Sequence, residues 1–385
     1  MRIAYVCTDP GIPVFGTKGA SVHVQEVIRE MRARGHEVTL YTVRTGTHRP
    51  ADLAALTVHT VPVCANDPAS REHSQLEVSH RIAQMVRAQG TDMVYERYSL
   101  FSAALAEITQ SLGVPGVLEV NSPLIDEQRR HRHLADEALA WELLRLQVTS
   151  ATSTVCISDP VSQWVRNALT GDGHAPGSDP AGRVRTVPNG VSVRRIQPQP
   201  EDPERVVVTF VGTLKPWHGV ADLLEAASLS HGGWQLRVLG DGPEMTSLKQ
   251  RAATLGVEVD MRGAIAPELM PAHLAGSAIG VAPYPDLGGQ EQQYFSPLKV
   301  LEYMAAGLAV VASDVGQVLQ LVGDVGVLVP PSDPQALAEA LDALAADPAR
   351  RSDLGRRARR HAVEAHSWSS VVRTILEPVE TTREQ

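Results

Sequence analysis

Residues 206–226 read VVVTFVGTLKPWHGVADLLEA, and this stretch decides the fold class. A run of β-branched and aromatic residues stops at Gly212, a loop carrying Lys215, Trp217 and His218 follows, and an alanine- and leucine-rich segment begins after Gly219. Strand, loop and helix in that order form half of a βαβ unit, and its repetition builds a parallel sheet covered by helices. Downstream, apolar runs recur at 235–240, 257–263, 279–285, 309–314 and 326–330. Upstream, a separate series lies at 2–8, 37–43, 56–63, 92–97, 115–121, 153–158 and 184–189. Helical patterns fill the intervals, as in SVHVQEVIREMRARG, where Val22, Val24, Val27, Ile28 and Met31 mark an apolar stripe ended by Gly35.

Between the two series stands RRIQPQPEDPE, whose three prolines suit a linker better than a helix. The fold class expected is therefore α/β, with two doubly wound parallel-sheet (Rossmann-like) domains facing a cleft. Their expected bounds are 1–195 and 205–365, with 196–204 as linker and 366–385 as a C-terminal helix packing back on the first domain. One large doubly wound sheet is the weaker alternative. GDGHAPGSDPAGR, at 171–183, reads as a surface loop.

A length of 385 residues supports two or three domains with real cores. The net charge of −9 argues against nucleic-acid binding, which rests on accumulated Lys and Arg. Cys7, Cys64 and Cys156 show no CxxC spacing and read as buried, reduced core residues. The sequence enters a strand at once, without a signal-like segment, and no apolar run approaches the ~20 residues of a membrane span. A cytoplasmic protein without integral membrane association is expected.

Of only four lysines, three sit beside Gly or Pro in loops after apolar runs: Lys18 in GTKGAS, Lys215 in GTLKPWHG and Lys299 in SPLK. Loops at the carboxyl ends of parallel strands that feed helix amino termini are where α/β proteins bind anions, and lysine supplies a mobile point charge there. In YFSPLKVLEYMAAGLAVVASD, Ser296 reads as an N-cap with Pro297 at the first helical position. Glu302 follows inside that helix, where a carboxylate suits the hydroxyls of a ribose or, equally, a neighbouring cation. His131 and His133 point to different helix faces and make a poor metal pair. Asp-x-Asp, P-loop and GxGxxG motifs are absent from the sequence.

Taken together, VPNGV (187–191), FVGTLKPWHGVADLLEA (210–226), LRVLGDGPE (236–244), residues 294–314 and VGVLVPPSDPQALAEAL (325–341) resemble the retaining glycosyltransferases of family four, two-domain GT-B enzymes, over essentially the whole chain. The resemblance implies a hexosyltransferase whose second domain binds a UDP-sugar, with Glu302 on the ribose and the 212–219 loop on the diphosphate. It places Gly16, Gly19, Gly240, Gly263, Ser296, Leu298 and Lys299 around the donor. The usual Arg of the loop is replaced by Thr213 and the usual Lys by His218, so Lys215 inherits the phosphate charge. Thr213 then donates a hydroxyl and His218 is a secondary donor. The first of the family's paired glutamates falls on Tyr294, which leaves Glu291 or Gln293 to touch the sugar. Lys215 and Lys299 are the catalytic candidates, stabilising charge on the leaving phosphate. No essential metal or other cofactor is implied.

GIPVFGTKGASVHVQE (11–26) resembles the family's glycine-rich loop, and YERYSLF with LEVNSPLIDEQRR supplies the polar groups at two further strand ends. Lys18, Glu119, Asn121, Asp126 and Glu127 are the acceptor-binding candidates, with Glu96 and Arg97 nearby. Asp126 and Glu127 read equally well as exposed charges opening a helix. The first 45 residues look like the 2-deoxystreptamine glycosyltransferases of aminoglycoside antibiotic biosynthesis. That implies transfer of N-acetylglucosamine or glucose to a small cationic aminocyclitol. Other family-four acceptors, a UDP-sugar epimerase of the same fold and a non-catalytic helper are the alternatives.

Overall fold

A computed structural model describes residues 1–65, 67–170, 181–288 and 293–383. The chain forms two compact units, Met1–Pro188 with Val371–Gln385, and Asn189–Ser370. Among the described residues, the first unit contains β1 (Arg2–Cys7), α1 (Gly19–Ala33), β2 (Glu37–Thr42), β3 (Thr57–Thr60), α2 (Pro68–Gln89), β4 (Met93–Arg97), α3 (Ala104–Leu112), β5 (Gly116–Val120), α4 (Leu124–His131), α5 (Glu137–Ser150), β6 (Ser153–Cys156), α6 (Asp159–Ala168) and β7 (Val184–Thr186). Its parallel sheet has the order β3-β2-β1-β4-β5-β6-β7, so the direction of winding reverses between β1 and β4.

The second unit contains β8 (Val206–Val211), α7 (Val220–Leu229), β9 (Trp234–Leu239), α8 (Met245–Leu255), β10 (Val259–Met261), α9 (Met270–Leu274), β11 (Ile279–Ala282), α10 (Leu298–Ala305), β12 (Ala309–Ser313), α11 (Val318–Val322), β13 (Val327–Val329), α12 (Pro334–Ala346) and α13 (Pro348–Ala365). Its order, β10-β9-β8-β11-β12-β13, is again parallel and reverses between β8 and β11. One core, with Leu223, Leu224, Leu248 and Leu341, covers one face of this sheet; the other, with Leu301, Tyr303, Met304 and Ala358, covers the opposite face. The fold is thus α/β with two Rossmann-like parallel sheets. At such reversal points the loops after neighbouring strands part and leave room for a ligand.

Local chemistry explains the helix ends. Asp67, Asp333 and Asp347 each accept a hydrogen bond from a first-turn amide, and each is followed by a proline that needs no partner for its nitrogen. Gly35 takes φ 85° after α1, and the His36 amide reaches back to the Met31 carbonyl. Val22 lies only half-buried, while Val24, Val27, Ile28 and Met31 form the buried stripe. The strand expected at 257–263 shrinks to Val259–Met261, because it is the sheet edge and pairs only with β9.

The segment expected as a linker, 196–204, belongs instead to the second unit, and the boundary falls after Pro188 rather than at 195. Ile196 is buried, Glu201 bridges to Gly276, and the Glu201 carboxylate lies 2.8 Å from the buried Arg351 guanidinium. Its prolines therefore hold an extended chain against α13 rather than spacing two bodies. The final helix, α14 (Trp368–Arg383), joins the first unit from Val371 onward. There Arg185 donates to the Thr374 and Ile375 carbonyls, and Glu380 pairs with Arg34 at 3.4 Å. Cys7 and Cys156 are buried but Cys64 is exposed, which corrects its assignment to the core. Of the loop expected at 171–183, residues 171–180 lie outside the described residues. No described helix is long and apolar enough to cross a membrane.

Gly219 is required twice over: its φ is 69°, and a Cβ there would lie 1.6 Å from the Pro283 carbonyl oxygen. Gly219→Ala is expected to cost at least about 2 kcal/mol. Gly233, which has open space around its missing Cβ, serves as the control, and Gly233→Ala is expected to stay within about 0.5 kcal/mol. Urea denaturation of both variants is the check.

Candidate functional site

At the reversal point of the second sheet, β8 and β11 pair through Ile279↔Val208 and Gly280↔Thr209 only. Beyond that, the Tyr303 hydroxyl stands between them: it accepts from the Val211 amide at 2.7 Å and donates to the Val281 carbonyl at 3.2 Å. Gly280 makes room for this wedge, since a Cβ there would lie 2.3 Å from the Tyr303 ring. The loops after β8 and β11 consequently emerge apart.

Into the opening α10 delivers Lys299, one helical turn before Tyr303. Its ammonium lies 4.2 Å from the Phe210 ring centre and 4.8 Å from that of Tyr284. The side chain is buried and the Nζ has no hydrogen-bond partner. Burial pushes its pKa from 10.5 down to about 7, against the pull of the Glu302 charge. Gly212, at φ 147°, passes directly over it, and a Cβ there would come within 3.1 Å of the Nζ. Two aromatic faces soften the desolvation of a cation but supply no counter-ion. Glu302 follows on α10, half-buried.

Glycines close the backbone around this cation. The Gly212 amide donates to Leu239 and the Leu214 amide to Asp241, both at 3.0 Å. A Cβ on Gly240 would lie 1.8 Å from the Gly212 carbonyl oxygen. Gly263 bridges to Gly240 and has open space beside it at φ 72°. The loops at 212–214, 240–242 and 263 are therefore gathered at one end of the sheet.

The other loop residues behave differently from their sequence reading. Lys215 lays its ammonium 4.5 Å from the ring centre of the exposed Trp217, outside the buried pocket of Lys299. Thr213 is exposed, and its carbonyl accepts a hydrogen bond from His218 Nδ1. A carbonyl only accepts, so Nδ1 carries the proton and Nε2 keeps a lone pair. Burial, then the Lys299 charge, then that of Lys215 hold the His218 pKa down at about 4, outweighing this hydrogen bond. In the free protein at neutral pH His218 is thus an acceptor at Nε2, and its Nδ1 proton is held by the Thr213 carbonyl.

Ser296 does not cap α10. The helix begins at Leu298, itself half-exposed, and Pro297 holds the cap position without a side-chain bond. The Ser296 hydroxyl instead accepts from the Asn189 amide at 3.1 Å, tying the VPNGV loop to the start of α10. Gln293 is buried and donates to the Pro285 carbonyl; Glu291 lies outside the described residues.

In the first unit, Gly16 approaches Pro13 and Ser21 too closely for a side chain, and Lys18 and Gly19 are exposed at the start of α1. Glu119 is buried against His23 of α1, with Arg97 3.8 Å away. Burial pushes the Glu119 carboxyl up, but the charges of His23 and Arg97 win and hold it below the usual range. Glu119 is therefore charge-paired with His23 and Arg97, although its second oxygen, Oε2, is buried without a hydrogen bond. Glu96 caps α3, accepting from the Leu105 amide at 2.7 Å and the Ser102 hydroxyl, and burial raises its pKa to about 7. Asp126 pairs with Arg129 at 2.9 Å and accepts from the Trp164 indole, also at 2.9 Å. Glu127 is half-buried in the first turn of α4. Asn121, by contrast, follows β5 with both of its side-chain polar atoms buried and unpartnered. Among the described residues, no three His, Cys, Asp or Glu side chains converge as a metal site would require.

Two family profiles divide the sequence between them: that described as Glycosyltransferase Family 4 matches residues 17–195, and that described as Glycosyl transferases group 1 matches residues 205–347. The chain is a glycosyltransferase of the family-four type. It is an enzyme, and the class is hexosyltransferase. The alpha-maltose-1-phosphate synthase of Mycolicibacterium smegmatis is 26% identical over 98% of this chain and 98% of its own. The D-inositol 3-phosphate glycosyltransferase of Acidothermus cellulolyticus is 26% identical over 96% and 85%, and the phosphatidyl-myo-inositol mannosyltransferase of Mycobacterium leprae 26% over 99% and 97%. Among solved structures, a sucrose-phosphate synthase from Thermosynechococcus elongatus has a TM-score of 0.72 at 18% identity, covering 100% of this chain and 99% of its own. Anabaena HepE in complex with UDP has a TM-score of 0.72 at 18% identity, covering 99% and 100%. These two establish the GT-B fold. The names of the relatives speak of maltose 1-phosphate and inositol derivatives rather than of an aminocyclitol.

Tyr303, Phe210, Tyr284 and His23 had no role in the sequence reading. Each sits inside an apolar strand or helix pattern that reads as core, and only the neighbouring glycines hinted at close approach. Tyr303→Phe leaves the buried Val211 amide without its acceptor and is expected to cost about 1–3 kcal/mol, measurable as a lower urea midpoint at unchanged slope.

Proposed function

We propose that the chain transfers a hexose, with retention of configuration, from a UDP-sugar to a hydroxyl of a small cyclic polyol. The observation that carries the donor side is the buried, unpartnered Lys299 at the reversal point of the second sheet. A cation buried at this cost, with no hydrogen-bond partner among the described residues, suits an anionic ligand, and a diphosphate is the anion a nucleotide sugar brings. Lys299 then stabilises the negative charge that grows as the bond from the sugar carbon to the diphosphate breaks. The acceptor hydroxyl bonds to the same carbon, and its proton passes to the departing phosphate oxygen, so no glycosidase-like carboxylate pair is needed. Glu302 takes the ribose hydroxyls, while Lys215 and the Thr213 hydroxyl serve the outer side of the loop. Anabaena HepE, of the same fold, was solved with UDP and with UDP-glucose.

Bound diphosphate would return Lys299 to its ordinary charged state. In the free protein the depressed pKa costs stability, fully below pH 7 and fading as pH rises toward 10.5. UDP binding at pH 8 is accordingly expected to take up about one proton, seen by calorimetry in buffers of different ionisation enthalpy. Lys299→Met is expected to abolish that uptake and weaken UDP at least about tenfold. Glu302→Ala is expected to weaken UDP by about one to two orders of magnitude without removing the proton uptake. Wild-type UDP affinity in both variants would sink the donor assignment.

For the acceptor, the amino-terminal run supports 2-deoxystreptamine, with N-acetylglucosamine or glucose as the sugar. A second reading, an inositol-type cyclitol, is favoured by the committed state of Glu119 and Asp126, which leaves little uncompensated negative charge for a dication. Purified enzyme would be given UDP-glucose or UDP-N-acetylglucosamine with 2-deoxystreptamine, myo-inositol or inositol phosphate, with and without EDTA. An α-linked product by NMR, formed equally well in EDTA, is the expected outcome. An isomerised donor without acceptor, or no turnover with any pair, would favour the epimerase or the helper instead.

A further inference from the structure

The sequence has few aromatic residues, only five tryptophans and four phenylalanines, yet two tryptophans and a tyrosine meet at one place in the first unit. Trp164 of α6 lies 5.4 Å from Trp141 of α5 and 6.2 Å from Tyr98, ring centre to ring centre. Their polar edges are tied into one chain of hydrogen bonds. Trp164 Nε1 donates to Asp126, Arg129 bridges Asp126 and Glu137, and Trp141 Nε1 donates to Glu137 at 3.2 Å. Both indole planes are thereby fixed while both residues stay partly exposed.

Packing between α5 and α6 accounts for the rings themselves but not for the polar groups at the neighbouring strand ends. Tyr98 is 3% exposed and directly follows β4, yet its hydroxyl has no partner. On the neighbouring strand end, Asn121 has both amide atoms buried and unpartnered. Buried polar groups of this kind call for a partner, and the hydroxyls of a ligand are one that can supply it. Fixed, partly exposed aromatic faces beside orphan hydrogen-bonding groups match a ring that has C–H bonds on its faces and hydroxyls at its edge.

We infer that Tyr98, Trp141 and Trp164 form the floor of a binding site for a saturated six-membered polyol ring, with Trp164 against a C–H face and Asn121 and Tyr98 bonding its hydroxyls. The inference rests on the proposed glycosyltransfer and assigns this floor to the acceptor. Trp164 determines acceptor specificity without touching the donor, and Asp126 is a positioning residue that orients the indole.

The test uses the full chain, saturated with UDP, and myo-inositol and 2-deoxystreptamine as probes in saturation-transfer NMR. Wild type is expected to transfer magnetisation to the ring protons of at least one probe. Trp164→Ala is expected to weaken that binding at least roughly tenfold with UDP affinity unchanged, Trp164→Phe to retain most of it, and Tyr98→Phe to weaken it severalfold. Unchanged probe binding in Trp164→Ala, or no transfer to either probe from wild type that binds UDP, overturns the inference and leaves the donor reading standing. Failure of wild type to bind UDP while Trp164-dependent probe binding persists strikes the donor reading instead and upholds the ring site.

Discussion

The Tyr303 hydroxyl, held between the Val211 amide and the Val281 carbonyl, is the contact on which the donor half depends. It satisfies two backbone groups that would otherwise be stranded where β8 and β11 stop pairing, so the sheet can open without burying unpaired polar atoms. The same helix carries Lys299 a turn earlier. Splitting the sheet and placing a cation in the split are therefore one act of packing, fixed by the position of α10 against β8 and β11. Phe210 and Tyr284 close the space around the ammonium, and glycines at 212, 240 and 280 let the backbones come near enough.

The two units handle buried charge in opposite ways. In the first, Glu119, His23 and Arg97 compensate one another, and Glu96 is spent on the amino terminus of α3. In the second, Lys299 has aromatic neighbours and no hydrogen-bond acceptor. Paired charges hold one another in the charged form, whereas Lys299 meets its desolvation by releasing its proton near pH 7 and is poised to regain it when an anionic ligand binds. That contrast separates groups that shape the molecule from groups that wait for a substrate, and no count of acidic and basic residues reveals it.

Much of the architecture was legible in the sequence, because parallel strands buried on both faces read as continuous apolar runs and the Asp-Pro pairs announce helix starts. Less of the site was. The three loop lysines look equivalent in sequence, yet Lys18 is exposed, Lys215 rests on an indole and Lys299 is buried. Burial depends on what packs from other elements, which spacing along one chain does not contain. Ser296 failed as a cap for a related reason: Asn189, over a hundred residues away, holds its hydroxyl. His23 and Arg97, the partners of Glu119, and the Trp164 indole on Asp126 come from other strands and helices, and only Arg129, one turn on from Asp126, is visible in the local sequence. The linker was misjudged since proline serves an extended, packed segment as well as a free one.

The near contact between Gly212 and Lys299 links two positions far apart in the chain. Any side chain at 212 would press on the ammonium, and any bulkier group at 299 would press on the loop. In descent the two positions are therefore expected to be coupled: a side chain at 212 is accommodated more easily where 299 is shorter. Homologues that carry their phosphate charge elsewhere in this loop are expected to vary first at 299, since a φ of 147° keeps favouring glycine at 212 whatever packs beneath it.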